Sequence, residues 1–296
     1  MPTAKADDGI SLNYEDSGGD GDAILFLHEY GGDPRSWADQ VKVFRRTNRC
    51  LVPATRGYAP SDIPADSAAY SYEIVAEDAR AVLDAAGVKK AHVVGLSMGA
   101  YTGLILALRH PGRVASLVAA SGGAGSHPRE NPNFRAEGAR LADEIQAADV
   151  FPADDFGNGP TRLQLKQKDR AGWEKFRDGL AEHDCIGSAH VLRNIVSGRP
   201  SLYDFEDVLR ASMTPVLCMV GDEDEPALEI NLWLKRTMPG AGLSVIPKSG
   251  HLLNLEEPAL FNLRIARFHQ ALETGDWPMR DMSTVGFAGV APAAKN

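Results

Sequence analysis

The feature that most restricts the fold is an alternation of short, wholly apolar runs with longer amphipathic ones. AILFLHE (23–29), CLVPATRG (50–57), AHVVGLS (91–97) and VASLVAA (114–120) each read as a buried strand. Between them lie segments of helical character: about Arg35 to Arg46, then SYEIVAEDARAVLDAAG (71–87), stopped by Gly87, then MGAYTGLILALRH (98–110). A strand apolar on both faces needs helices on both sides, so the pattern predicts an α/β protein with a mostly parallel sheet and helices on both faces. Residues 2–16 read as a leading hairpin around Asp8 and Gly9.

After Ser121 the alternation stops. Residues 124–208 read as helical segments with long polar faces, broken by Pro132, Pro152, Pro160 and Pro200, and are expected to form an inserted helical cap. Alternation resumes with PVLCMVG (215–221), a helix near 227–238, the strand GLSVIP (242–247) and a helix from about Leu252 to Glu273. The expected organisation is a core of 1–123 and 209–274, a cap of 124–208, and an Ala, Gly and Pro-rich tail, extended or disordered, from 275 to 296.

A net charge of −9, spread along the chain, disfavours nucleic acid or an anionic membrane as the main partner. No stretch approaches the roughly 18 apolar residues of a membrane span, and the start lacks a basic region followed by an apolar run. Cys50, Cys185 and Cys218 are odd in number and far apart, without zinc-site or disulfide-framework spacing, which fits a reducing compartment. The expectation is a cytoplasmic protein, monomer or homodimer, acting on a small molecule without a metal or organic cofactor.

The chemistry centres on Gly95-Leu96-Ser97-Met98-Gly99, a GxSxG pentapeptide between a buried strand and a helix. Placement matters more than the motif, which chance supplies readily. A serine at a sharp strand-to-helix turn is held with its hydroxyl pushed out of the sheet edge, and the residues two before and two after must be tiny for the turn to close. The alternative for Ser97 is a helix cap. A serine nucleophile needs a base, and His251, in KSGHLLNLEEP between a strand and a helix, is placed at the same sheet edge. An acid must orient that histidine. GDEDEP (221–226) follows a strand and supplies Asp224, with Asp222 and Glu223 as alternatives, whereas AASGGAG (119–125) contains no carboxylate. Two amides are expected to receive the oxyanion: Met98, at the helix start, and Tyr30, in the loop HEYGGD (28–33).

HEYGG (28–32), RGYAPSD (56–62), GLSMG (95–99), GDED (221–224) and SGHLLNLEEP (249–258) follow in an order that resembles the α/β-hydrolase superfamily, in its capped esterase, lactonase and carbon–carbon hydrolase branch. The resemblance implies Ser97, Asp224 and His251 as a catalytic triad, Tyr30 and Met98 as oxyanion donors, and an acyl-enzyme. Two positions depart from the family pattern: Glu29 and Pro60 stand where glycine is usual. Glu29 is expected to turn away into a salt bridge.

Substrate choice falls to the cap and to loops 28–37 and 122–135. Trp37, Phe134, Phe151, Phe156, Trp173 and Phe176 are candidates for an apolar wall, and Arg162, Lys166 and Lys168 for attracting an acidic substrate; none is assigned. The expected substrate is a small or medium carboxylic ester or lactone. A carbon–carbon bond hydrolase of aromatic-degradation diketones, an amidase, a thioesterase, a cofactor-free perhydrolase, or a ligand-binding receptor on the same fold are the alternatives.

Overall fold

A computed structural model describes residues 1–285. Its centre is an eight-stranded sheet: β1 (Thr3–Lys5), β2 (Ser11–Asp16), β3 (Ala23–Leu27), β4 (Arg49–Pro53), β5 (Ala91–Leu96), β6 (Val114–Ala120), β7 (Val216–Gly221) and β8 (Ala241–Ile246), in the order β1-β2-β4-β3-β5-β6-β7-β8. The first two strands pair antiparallel as the expected hairpin, and β2 continues antiparallel onto β4. From β4 to β8 every pairing is parallel.

Successive strand residues face opposite sides of the sheet, and the apolar runs supply both sides. Leu25, Leu27, Val93, Leu117, Ala119, Val216 and Cys218 pack on one face, while Ile24, Phe26, Val94, Val118, Leu217 and Met219 pack on the other. Helix α1 (Ala38–Phe44) closes the second face through Phe44, and α2 (Tyr72–Ala85) and α3 (Met98–Arg109) close the first through Val82, Leu83, Tyr101 and Leu104.

Between β6 and β7 lies the helical insertion: α4 (Asn131–Ala148), α5 (Ala153–Gly157), α6 (Leu163–Lys168), α7 (Arg170–Ala181), α8 (Cys185–His190), a π-helical turn at Val191–Val196, and α9 (Glu206–Ala211). It carries its own apolar cluster, in which Ile145, Phe151, Leu180 and Ile195 meet Tyr30, Tyr58 and Met98 of the sheet domain. After β7 comes α10 (Glu225–Thr237), on the first face, and after β8 come α11 (Leu253–Glu256) and α12 (Pro258–Thr274), with Phe261, Ile265 and Phe268 on the second. The single helix expected from Leu252 to Glu273 is thus two. Pro258 opens the second of them, since proline has no N–H to continue a helix but suits a first turn.

The tail expected from 275 is described only to 285, and there it is anchored. Trp277 Nε1 donates to the Gly240 carbonyl at 2.9 Å and its ring lies 4.5 Å from that of Phe268. Among the described residues no helix is long and apolar enough to cross a membrane. All three cysteines are buried and free.

Candidate active site

Ser97 sits between β5 and α3 with φ +52°, a left-handed value that β5 and α3 impose on a non-glycine residue. Its amide donates to the Ala120 carbonyl of β6 at 2.8 Å, and its carbonyl accepts from the Tyr101 amide of α3 at 3.1 Å. The turn closes only because its flanks lack side chains. A Cβ on Gly95 would lie 2.3 Å from the Gly99 carbonyl oxygen, and one on Gly99 would lie 2.0 Å from that of Leu27. The spacing of the pentapeptide is therefore a steric requirement of the β5–α3 turn.

His251 follows β8 in a loop that crosses the end of β7, where a Cβ on Gly221 would meet the Ser249 carbonyl oxygen at 2.1 Å. Its amide donates to the Thr161 carbonyl of the insertion at 2.8 Å, so the insertion helps to hold this loop. Nδ1 of His251 bonds Oδ2 of Asp224 at 2.9 Å, with Asp224 wholly buried. The alternatives for the acid are engaged elsewhere. Asp222 accepts from the Ser249 amide, and Glu223 accepts from Gln164 and Lys248. Burial disfavours the charged imidazole, but Asp224 and then Glu29 outweigh it, and the net effect holds His251 above its ordinary value of 6.5.

Loop 28–33 is fixed by His28. Nε2 accepts the Thr55 amide at 3.0 Å, which leaves the proton on Nδ1 to be donated to the Glu29 carbonyl at 2.7 Å. Burial lowers the His28 pKa to about 4, so it stays neutral and holds this tautomer. Gly31, at φ +76°, gives its amide to the Tyr58 hydroxyl and accepts from His183 of the insertion at 2.9 Å. Among the described residues, neither the Tyr30 nor the Met98 amide has a protein acceptor. The Tyr30 side chain is buried against Phe151 and Phe156, with its hydroxyl unpartnered.

Glu29 departs from expectation in an informative way. It does form the expected salt bridge, with Arg162 Nη2 at 3.0 Å from its Oε2, but it does not turn away from the site. The same Oε2 lies 3.5 Å from Nε2 of His251, and Oε1 is buried without a partner. His251 is thus flanked by two buried carboxylates, one at each ring nitrogen. Among the described residues no hydrogen bond joins Ser97 Oγ to His251.

Ser97, His251, Asp224, Glu29 and Tyr30 line a single cavity of about 340 Å³, closed on the far side by the insertion through Phe134, Leu141, Phe156, Arg162, Leu192 and Arg199. Of the aromatic and basic candidates, Phe134, Phe156 and Arg162 reach it. Trp37 is in the core of the sheet's second face, Trp173 is buried beneath the Lys166 ammonium, and Lys168 pairs with Glu257. Arg199 went unread: nothing in SGRPS distinguishes a buried arginine from a surface one. Among the described residues no group of three or more His, Cys, Asp or Glu side chains could hold a metal ion.

Comparison with known proteins agrees with this architecture. Residues 22–258 match the profile of the alpha/beta hydrolase fold. The chain is 29% identical over 273 residues to 2-hydroxymuconate semialdehyde hydrolase of Pseudomonas sp. (strain CF600), covering 88% of this chain and 90% of that one. It is 27% identical over 244 residues to 3-oxoadipate enol-lactonase 1 of Acinetobacter baylyi, covering 81% and 85%. A thermophilic esterase from Thermogutta terrifontis superposes with a TM-score of 0.77 at 23% identity, over 92% of this chain and 98% of the other, a likeness of fold. With a profile match spanning most of its length, the chain belongs to the α/β-hydrolase family.

Proposed function

We propose that the protein is a serine hydrolase that cleaves a small or medium carboxylic ester or lactone through an acyl-enzyme. The observation that carries this reading is one cavity containing a serine on a strained strand-to-helix turn and a histidine whose far nitrogen is bonded to a buried aspartate. Ser97 Oγ attacks the carbonyl carbon while His251 Nε2 takes its proton, and Asp224 holds the ring and offsets the imidazolium charge. The Met98 and Tyr30 amides receive the oxyanion, Met98 from the start of α3 where the helix dipole adds to the field. The imidazolium then protonates the leaving oxygen. In the second half the same nitrogen activates water, which hydrolyses the acyl-enzyme and restores Ser97. The Ser97–His251 hydrogen bond forms as the substrate seats, since such contacts often tighten only in the complex.

A second reading, a carbon–carbon bond hydrolase of an aromatic-degradation diketone, is favoured by the likeness to 2-hydroxymuconate semialdehyde hydrolase. It would use the same three residues with a carbanion in place of the leaving alkoxide. A panel of nitrophenyl esters of rising acyl length, beside a 2-hydroxy-6-oxo-dienoate, separates the two. Sustained turnover of short esters that is lost in Ser97→Ala supports the ester reading. Turnover of the dienoate with slow hydrolysis of every ester transfers support to the second, and turnover of none removes both.

A further inference from the structure

Two arginines line the cavity, Arg162 half-buried and Arg199 buried, and their charges are handled differently. Arg162 is neutralised by Glu29, 3.0 Å away. Arg199, only 5% exposed, has no carboxylate within 4.0 Å among the described residues. Nη2 of Arg199 gives one bond to the Ala124 carbonyl at 3.0 Å, and the guanidinium lies 4.5 Å from the Tyr101 ring centroid and 5.9 Å from that of Phe134. Apart from Asp224 and His251, which pair with each other, the remaining charged groups on the cavity wall are Glu137 and Arg140 of α4; both are exposed, and Arg140 pairs with Glu144. Burial pushes Arg199 down to about 10, so it is still a cation at neutral pH.

A buried, unpaired cation is expensive, and aromatic faces and one carbonyl offset only part of that cost. A guanidinium carries five N–H donors in a planar fork suited to a carboxylate, and Ala124 takes one of them. We propose that Arg199 is an anion subsite, and that the substrate is an ester or lactone bearing a free carboxylate that pairs with it. The proposal rests on the hydrolase reading of Ser97. In it, Arg162 is already committed to Glu29, and the substrate carboxylate supplies the counter-charge that Arg199 lacks. A carboxylate seated there holds the substrate against the insertion while its carbonyl faces Ser97.

The test compares mono-4-nitrophenyl glutarate with 4-nitrophenyl pentanoate, a neutral ester of the same chain length, in the wild type, Arg199→Met and Arg199→Lys. The wild type is expected to prefer the hemiester at least 10-fold in kcat/KM. Arg199→Met should cut that ratio by about 30- to 100-fold, mainly through KM, the size expected when one partner of a buried charge pair is truncated. Arg199→Lys should restore part of it. Glutarate should inhibit the wild type competitively, and not the Met variant. Equal losses on both esters in Arg199→Met would assign the residue a structural role and overturn the proposal, as would a wild type with no hemiester preference and no inhibition by glutarate. If neither ester turns over, it is the hydrolase reading that fails. Glutarate binding by calorimetry, with and without Arg199, then decides the subsite on its own: binding that needs Arg199 supports it, and no binding overturns it.

Discussion

Replacing Glu29 by Gln should move the acid limb of the pH profile downward. The groups that face His251 are Asp224 at Nδ1, Glu29 at Nε2, Arg162 behind Glu29, and Glu256, which accepts the Gly250 and Leu252 amides on either side of the histidine. A carboxylate charge 3.5 Å from the ring interacts with an imidazolium by about 5 kcal/mol at an effective dielectric of about 20. It is an upper figure, because solvent screening and the Arg162 cation both reduce it. Loss of the charge in Glu29→Gln should therefore lower the His251 pKa, while the amide retains the shape of the side chain. The direction follows from the mechanism: only neutral His251 can accept the serine proton, so kcat/KM falls as pH drops through its pKa. In the wild type that limb should lie above 6.5, and in Glu29→Gln it should fall. Arg162→Gln removes the opposing cation and should shift the limb upward, with the double variant between the two. The assay is kcat/KM on a short nitrophenyl ester from pH 4.5 to 9, followed at the isosbestic wavelength, with circular dichroism as a check on folding. A limb that stays put or rises in a folded Glu29→Gln protein refutes the assigned charge relation.

Two further outcomes follow from the same geometry. Asp224→Asn should leave the fold intact but lower kcat on the order of 10³- to 10⁴-fold, because the amide no longer enforces the tautomer that leaves Nε2 free; steady-state kinetics beside a melting curve checks this. Gly99→Ala should cost about 2–3 kcal/mol and lower Tm by about 3 to 5 °C, since its Cβ would meet main-chain oxygen, which no rotamer change relieves; scanning calorimetry measures it.

The sheet was legible because its strands are buried on both faces. A run such as VASLVAA has no polar residue large enough to shift the reading, and β6 spans the same Val114–Ala120. That Ser97, Asp224 and His251 share one sheet edge was legible for a related reason: each sits where a strand ends, and strand ends on one sheet edge converge whatever joins them. The insertion yielded less. Its helices pack on one another and on the rim of the sheet, so their apolar positions do not reveal which of them face the cavity. Glu29 shows the limit most clearly. Its salt bridge could be expected from its charge, but its orientation depends on Arg162, 133 positions away, in a segment whose placement the local sequence does not specify. Arg199 was invisible for the same reason, since a lone arginine beside a proline reads as solvated.

The central claim is that Ser97 is a nucleophile, and covalent labelling tests it most directly. The wild-type protein should react with a fluorophosphonate, tandem mass spectrometry should place the adduct on the peptide containing Ser97, and Ser97→Ala should remain unmodified. A folded wild-type protein that resists the reagent, or a Ser97→Ala variant that labels equally well, would contradict the account.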